Sequence, residues 1–152
     1  MTLAERPLIV VPTYNEVDNI DELLAGIGEH APFADVLFVD DGSRDGTVDR
    51  IRNHQSRRED KIHLLQRPSK MGLGTAYVDG FKWALKRSYD VVQEMDADLS
   101  HPPEKIPDLY APVRGGQAAD SWRRRPPARP DGCSPAARHR RALRYPYPWA
   151  RS

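Results

Sequence analysis

The chain has 152 residues, enough for one domain with a real core and short for two. It holds no run of about 18 apolar residues, and its opening MTLAERPLIVVPTYNE lacks a charged region followed by a long apolar one, so it reads as cytoplasmic, without a membrane span or secretory leader. The formal charge of +1 conceals two unlike segments: residues 1–113 carry 13 Lys/Arg against 20 Asp/Glu, a net −7, whereas residues 114–152 carry ten Arg, no Lys and two Asp, a net +8.

In the first segment, apolar runs alternate with helical patterns. LIVVP (Leu8 to Pro12) and DVLFVD (Asp35 to Asp40) are short and rich in Val, Ile and Leu, as buried parallel strands are. Between them Val17, Ile20, Leu23, Leu24 and Ile27 share one helical face, with Asn15 placed as its N-cap. A less regular helix from about Thr47 to His54 leads to a third strand, Ile62 to Gln66. Leu73, Ala76, Tyr77, Gly80, Phe81, Ala84 and Leu85 then follow i, i+3, i+4, i+7 spacing, the clearest helix in the chain, ahead of a fourth strand, Asp90 to Met95. Such alternation predicts an α/β, Rossmann-like fold with right-handed crossovers and a mainly parallel sheet whose strand ends line one edge. Ligands of these sheets bind at that edge. The polar clusters PTYNE, DDGSRDGT, RPSKMGLG and DADLSH all fall there.

Asp96 and Asp98, one residue apart after the fourth strand, suit a hard divalent cation, because Mg²⁺ or Mn²⁺ takes oxygen ligands and bridges carboxylates to substrate phosphates. His101 is open to two readings, a further ligand or a loop residue beside two prolines. Asp40 and Asp41 end the second strand, and a carboxylate there can accept from ribose hydroxyls or a base edge. Turn formation and capping by Asp41, Ser43 and Asp45 explain part of the same pattern without a ligand. Tyr14 could pack on a base and Glu16 accept a hydrogen bond, with core packing and a helix start as the competing explanations. KMGLGTAY lacks the third glycine of a dinucleotide fingerprint and follows the wrong strand. Gly72 and Gly74 are better read as a tight entry into the helix, and Lys70 as either a phosphate contact or a solvated lysine.

Taken together, VVPTYNE, FVDDGSRDGT, RPSKMGLGTAYVDGFKWAL and EMDADLSHPPE resemble the catalytic domain of the polyprenol (dolichol) phosphate mannose synthases, inverting family 2 glycosyltransferases of the A-type fold. The resemblance runs from about Pro7 to Val113. It implies transfer of mannose from GDP-mannose to a polyprenyl phosphate with inversion, in the service of cell-envelope glycan synthesis. It places Pro12, Tyr14, Glu16, Val39 and Asp41 at the nucleotide, and Asp96, Ala97 and Asp98 at the metal-bound diphosphate and sugar. Ser100 stands where some relatives carry a Gln ligand. The resemblance also implies Mg²⁺ or Mn²⁺ as cofactor, a peripheral position at the cytoplasmic face of a membrane, and a membrane-protein partner as one way of reaching it.

From Arg114 the pattern stops: six prolines, clustered arginines, and no Val or Ile follow. Residues 114–152 are expected to be disordered, and their Arg, Pro, Ala and Gly, all encoded by GC-rich codons, point to a shifted reading frame and so to a chain with weak activity or none. Two alternatives remain at this stage. One keeps the fold and substitutes UDP-glucose or another sugar nucleotide. The other makes the basic tail, with Trp122, Tyr145, Tyr147 and Trp149, a binder of nucleic acid or anionic lipid, although no nucleic-acid partner is expected.

Overall fold

A computed structural model describes residues 6–58 and 60–114, the last three by their backbone alone. Four parallel strands form one sheet: β1 (Pro7–Thr13), β2 (Asp35–Asp40), β3 (Ile62–Gln66) and β4 (Val91–Glu94). Helices α1 (Ile20–His30), α2 (Thr47–Gln55) and α3 (Leu73–Lys86) are the crossovers between them. The strand order is β3-β2-β1-β4. The chain therefore adds strands on one side of β1 and then returns to pair β4 with its other side. That reversal falls between β1 and β4, and the carboxyl ends of the strands at such a reversal are where open α/β sheets bind ligands.

Both faces of the sheet are covered, which explains why β1 and β2 are nearly continuous apolar runs. Ile9, Val11, Val36 and Phe38 face α1 and α2 in one cluster with Ile20, Leu23, Ile27 and Ile51. Leu8, Val10, Leu37 and Val39 face α3 in the other, with Ala76 and Ala84. Helix α3 lies close to the sheet because it presents Gly80 to β1: a Cβ there would stand 2.5 Å from Val10 Cγ1. Register pairs Thr13 with Asp40 and Val10 with Glu94, so the ends of β1, β2 and β4 stand side by side.

The predicted strands and crossover helices are present, with small differences in extent. The start of α1 departs from expectation. Asn15 is not its cap: it lies in the left-handed region at φ 57°, and the helix begins at Ile20 behind Asn19. Val17 accordingly precedes the helix. After β4 the chain forms a 3₁₀ turn, Pro103–Lys105, and a helix, α4 (Ile106–Arg114), that sequence reading did not assign. Gly26 of α1 leaves a notch for this segment, since a Cβ at Gly26 would lie 2.7 Å from Pro103 Cγ. Arg114, the expected first residue of the tail, closes α4, and the expectations for 115–152, including the tail aromatics, lie outside the described residues. Among the described residues, no helix is long and apolar enough to cross a membrane.

Candidate functional site

The β1 and β2 ends are locked to each other before any ligand is considered. Asp40, fully buried, accepts from Thr13 Oγ1 (3.0 Å), Ser43 Oγ (2.6 Å) and the Gly42 and Ser43 amides (3.0 and 2.9 Å). The tight turn is thus built by Asp40, where sequence reading gave that role to Asp41. Asn15 spans the two loops: its amide donates to Ser43 Oγ (2.8 Å) and its Oδ1 accepts from the Arg44 amide (3.0 Å). Its left-handed backbone is a conformation Asn adopts more readily than most residues. Asp45 closes the start of α2 by accepting from the Thr47 amide and hydroxyl, as its expected capping role requires, and also takes the Val17 amide. The Glu16 amide donates to Thr47 Oγ1 (2.9 Å), while its carboxylate holds the Asn19 side chain (2.7 Å) ahead of α1.

Asp41 is 6% exposed, and the protein itself fills its acceptor sites. Oδ1 pairs with the Arg67 guanidinium, and Oδ2 accepts from the Met71 and Gly72 amides (3.0 and 3.3 Å). Arg67, buried as well, also donates to Thr75 Oγ1 (2.8 Å), Asp79 Oδ2 (3.3 Å) and the Gly72 carbonyl (3.0 Å). The pair clamps the β3–α3 loop onto the end of β2. Sequence reading overlooked Arg67. Its signal was a single arginine directly after a strand, ahead of a glycine turn. The clamped loop carries Lys70, whose Nζ sits 4.3 Å from the centre of the half-exposed Tyr14 ring, so two expected nucleotide contacts, from different loops, meet. Pro12 is partly buried in β1. Val39 is fully buried against α3, so its side chain belongs to the core.

At the end of β4 the three residues of the D-x-D turn alternate. Ala97 is buried with Met95 and Ile106 in the core, and the aspartates on either side of it are more exposed. One residue of spacing is what directs two neighbouring carboxylates away from a shared anchor. Asp96 Oδ1 accepts from Tyr77 Oη on α3 (2.8 Å). Sequence reading had counted Tyr77 only as part of the apolar face. Asp98 Oδ1 accepts from the Ser100 amide (3.0 Å). Ser100's hydroxyl and amide together hold Asp98 below the usual carboxylate range, ionised at neutral pH. His101 turns its Nδ1 to the Asp96 amide (3.0 Å), which favours the loop reading over the ligand one.

This donor set fits a hard cation. Each carboxylate offers two oxygens and roughly four lone-pair sites, and the protein bonds described here use only part of that capacity at Asp96 and Asp98. Among the described residues no group of three His, Cys, Asp or Glu side chains forms a ready metal cage. Asp41 and Asp96 stand at the same edge, on strands separated by β1 and so about 10 Å apart by ordinary strand spacing. Helix α3 connects them through the Gly72 amide just before its first turn and the Tyr77 hydroxyl one turn on.

A parallel sheet whose strand order reverses at β1, with helices on both faces and acidic side chains at its carboxyl edge, defines a doubly wound α/β fold. The family model for glycosyl transferase family 2 matches residues 8–148, and the chain belongs to that family. Among curated proteins it is 44% identical over 121 residues to an undecaprenyl-phosphate mannosyltransferase of Micrococcus luteus, covering 80% of this chain and 49% of that one. To a polyprenol monophosphomannose synthase of Mycolicibacterium smegmatis it is 42% identical over 112 residues, covering 74% and 42%. The chain thus spans about half the length, or less, of these relatives. Among solved structures, the mannosyltransferase PcManGT of Pyrobaculum calidifontis, in complex with GDP-Man and Mn²⁺, superposes with a TM-score of 0.52 at 30% identity, over 64% of this chain and 28% of that one. Glucosyl-3-phosphoglycerate synthase of Mycobacterium tuberculosis, at 22% identity and a TM-score of 0.58, shares the fold.

Proposed function

We propose that this chain carries the donor half of a polyprenyl-phosphate mannosyltransferase, which moves mannose from GDP-mannose to a polyprenyl phosphate with inversion. The observation that carries the reading is the pair Asp96 and Asp98, set around a buried Ala97 beyond β4, on the sheet edge that also carries Tyr14 and Lys70. The relatives named for mannosyl transfer to lipid phosphates support the acceptor class, and the GDP-Man and Mn²⁺ complex supports the donor and a divalent cation.

In this reading Pro12, Tyr14 and Glu16 line the nucleoside side, and Lys70 leaves the Tyr14 ring to meet the diphosphate. Asp41 contributes through the Arg67 clamp that fixes the loop carrying Lys70. Asp96 and Asp98 would hold Mg²⁺ or Mn²⁺, with Tyr77 fixing one oxygen of Asp96. The cation, when bound, stabilises the charge that develops on departing GDP. A phosphate monoester acceptor has a second pKa of about 6, so it attacks as a dianion and the protein need supply no general base. A lipid acceptor makes a peripheral membrane position part of the proposal.

Calorimetric titration of GDP and UDP, with and without Mn²⁺, tests the reading. Mn²⁺-dependent binding of GDP, weakened at least about tenfold by Asp98→Asn with the fold intact, is the expected result. Nucleotide binding indifferent to both Mn²⁺ and Asp98→Asn refutes the cation site, and a clear preference for UDP refutes the donor assignment.

A further inference from the structure

We infer that His101 is a positioning residue, whose ring nitrogen Nδ1 sets the direction of the Asp96 carboxylate by accepting the Asp96 main-chain N–H. The inference rests on the reading of Asp96 as a carboxylate that holds the cation and diphosphate.

The geometry begins with the end of the β-ladder. Met95 N–H donates to the Val10 carbonyl (3.0 Å), a bond toward β1. Successive amides of a strand point to opposite sides, so the next one, Asp96 N–H, is directed away from β1. There it meets His101 Nδ1 at 3.0 Å. The chain reaches back because Leu99 takes the left-handed conformation at φ 62°, one that a leucine adopts only where its surroundings enforce it. Leu99 packs against the core cluster that contains Met95 and Ala97, and Pro103 sits in the Gly26 notch two residues beyond the histidine. The ring is thus held from both sides of the turn, and its side chain is 17% exposed.

An Nδ1 that accepts a hydrogen bond does so through its lone pair and carries no proton. The same Nδ1 lies 3.7 Å from Asp96 Oδ2, beyond hydrogen-bond range. Unprotonated, it donates nothing to that oxygen. Tyr77 holds Oδ1 at 2.8 Å, so the ring and the phenol together leave Oδ2 as the oxygen presented to a cation. A ligand role for His101 through Nδ1 would require releasing the Asp96 amide.

Substitution by Asn and by Gln separates positioning from mere packing. Asn carries its amide oxygen close to the place of Nδ1, whereas Gln carries it to the place of Nε2. In ¹⁵N-labelled wild type without nucleotide, the expected signature is an unprotonated Nδ1 with through-bond coupling to the Asp96 amide. In calorimetry of GDP with Mn²⁺, His101→Ala and His101→Gln should each weaken binding about tenfold, and His101→Asn should restore most of it. GDP binding without metal should be equal in all three. A protonated Nδ1 without coupling overturns the inference, as does His101→Asn binding as weakly as His101→Ala, or His101→Ala binding like wild type. Asp96→Asn in the same assay tests the underlying reading separately: if it leaves Mn²⁺-dependent GDP binding intact, the assignment of Asp96 falls, and the function inferred for His101 with it, whatever the coupling shows.

Discussion

Strand β2 begins and ends on buried aspartates, whereas the turn after β4 carries a half-buried one, Asp96, and an exposed one, Asp98. At the start of β2, Asp35 is surrounded by Lys61 (3.2 Å), Arg6 (3.6 Å) and the Tyr89 hydroxyl (2.7 Å). At its end Asp40 is satisfied by its own turn and Asp41 by Arg67 and two loop amides. Beyond β4, Asp96 and Asp98 receive few protein donors and keep acceptor capacity. The difference shows that an aspartate at a strand end is structural where the fold supplies its donors. It is a candidate ligand where the fold withholds them. By that measure Asp41, assigned to the nucleotide by resemblance, is held by protein donors as Asp35 and Asp40 are, and Asp96 and Asp98 are the strand-end aspartates with acceptor capacity to spare.

The sharpest way to break this contrast is at Arg67. Its side chain and that of Asp41 are 4% and 8% exposed, so Arg67→Ala leaves a buried carboxylate uncompensated. The expected loss is about 3–5 kcal/mol of unfolding free energy, measured by urea denaturation. Asp98→Asn, at an exposed turn, should stay within about 0.5 kcal/mol of wild type in the same measurement. A loss below about 1 kcal/mol for Arg67→Ala would place Asp41 among the available carboxylates and undo the distinction.

A smaller effect is expected at the opposite end of β2. His63 contacts the Tyr89 hydroxyl (3.2 Å) and the Trp83 ring, and burial lowers its pKa below 6.5, with nearby Asp35 opposing the shift. Between the lowered value and 6.5 the unfolded chain therefore binds more protons than the folded one. Stability should rise with pH through that window and fall as the solution is acidified across it. Tyr89 is pushed far the other way, by burial first and then by its bond to Asp35, and stays neutral throughout. His63→Gln should flatten the slope of the urea midpoint against pH in this window. An unchanged slope would show that the Asp35 cluster is not its source.

How much of this the residues announced depends on the range of the interactions. β1 and β2 were legible because a sheet covered on both faces demands nearly unbroken apolar runs, and α3 because its buried face repeats with the helical period. The D-x-D turn was legible because a small apolar residue between two acids implies a buried anchor with two outward neighbours. Asn15 was misread because its partners, Ser43 and Arg44, lie 28 and 29 positions away, and locally it looks like any cap. Asp41 and Arg67 are separated by 26 positions, so neither reveals the ion pair alone. Helix α4 was hidden by its two prolines, Pro107 and Pro112, of which Pro107 falls in the first helical turn, where a proline is tolerated.

The smallest expected effect tests the β4 side directly. The Ser100 hydroxyl and then its amide hold the Asp98 carboxyl below 3.8, and burial opposes them only weakly at this exposed position. A lowered carboxylate pKa contributes stability above the unfolded value that is lost as pH falls through the folded one, so for Asp98 any such loss is confined to strongly acid solution. Ser100→Ala removes the hydroxyl and keeps the amide. The Asp98 side-chain carboxyl resonance should then titrate closer to 3.8, with the melting temperature at neutral pH unchanged. If the midpoint does not move, the acidity of Asp98 comes from the turn's backbone alone, and the second carboxylate of the site is prepared by chain geometry, with no part for the serine.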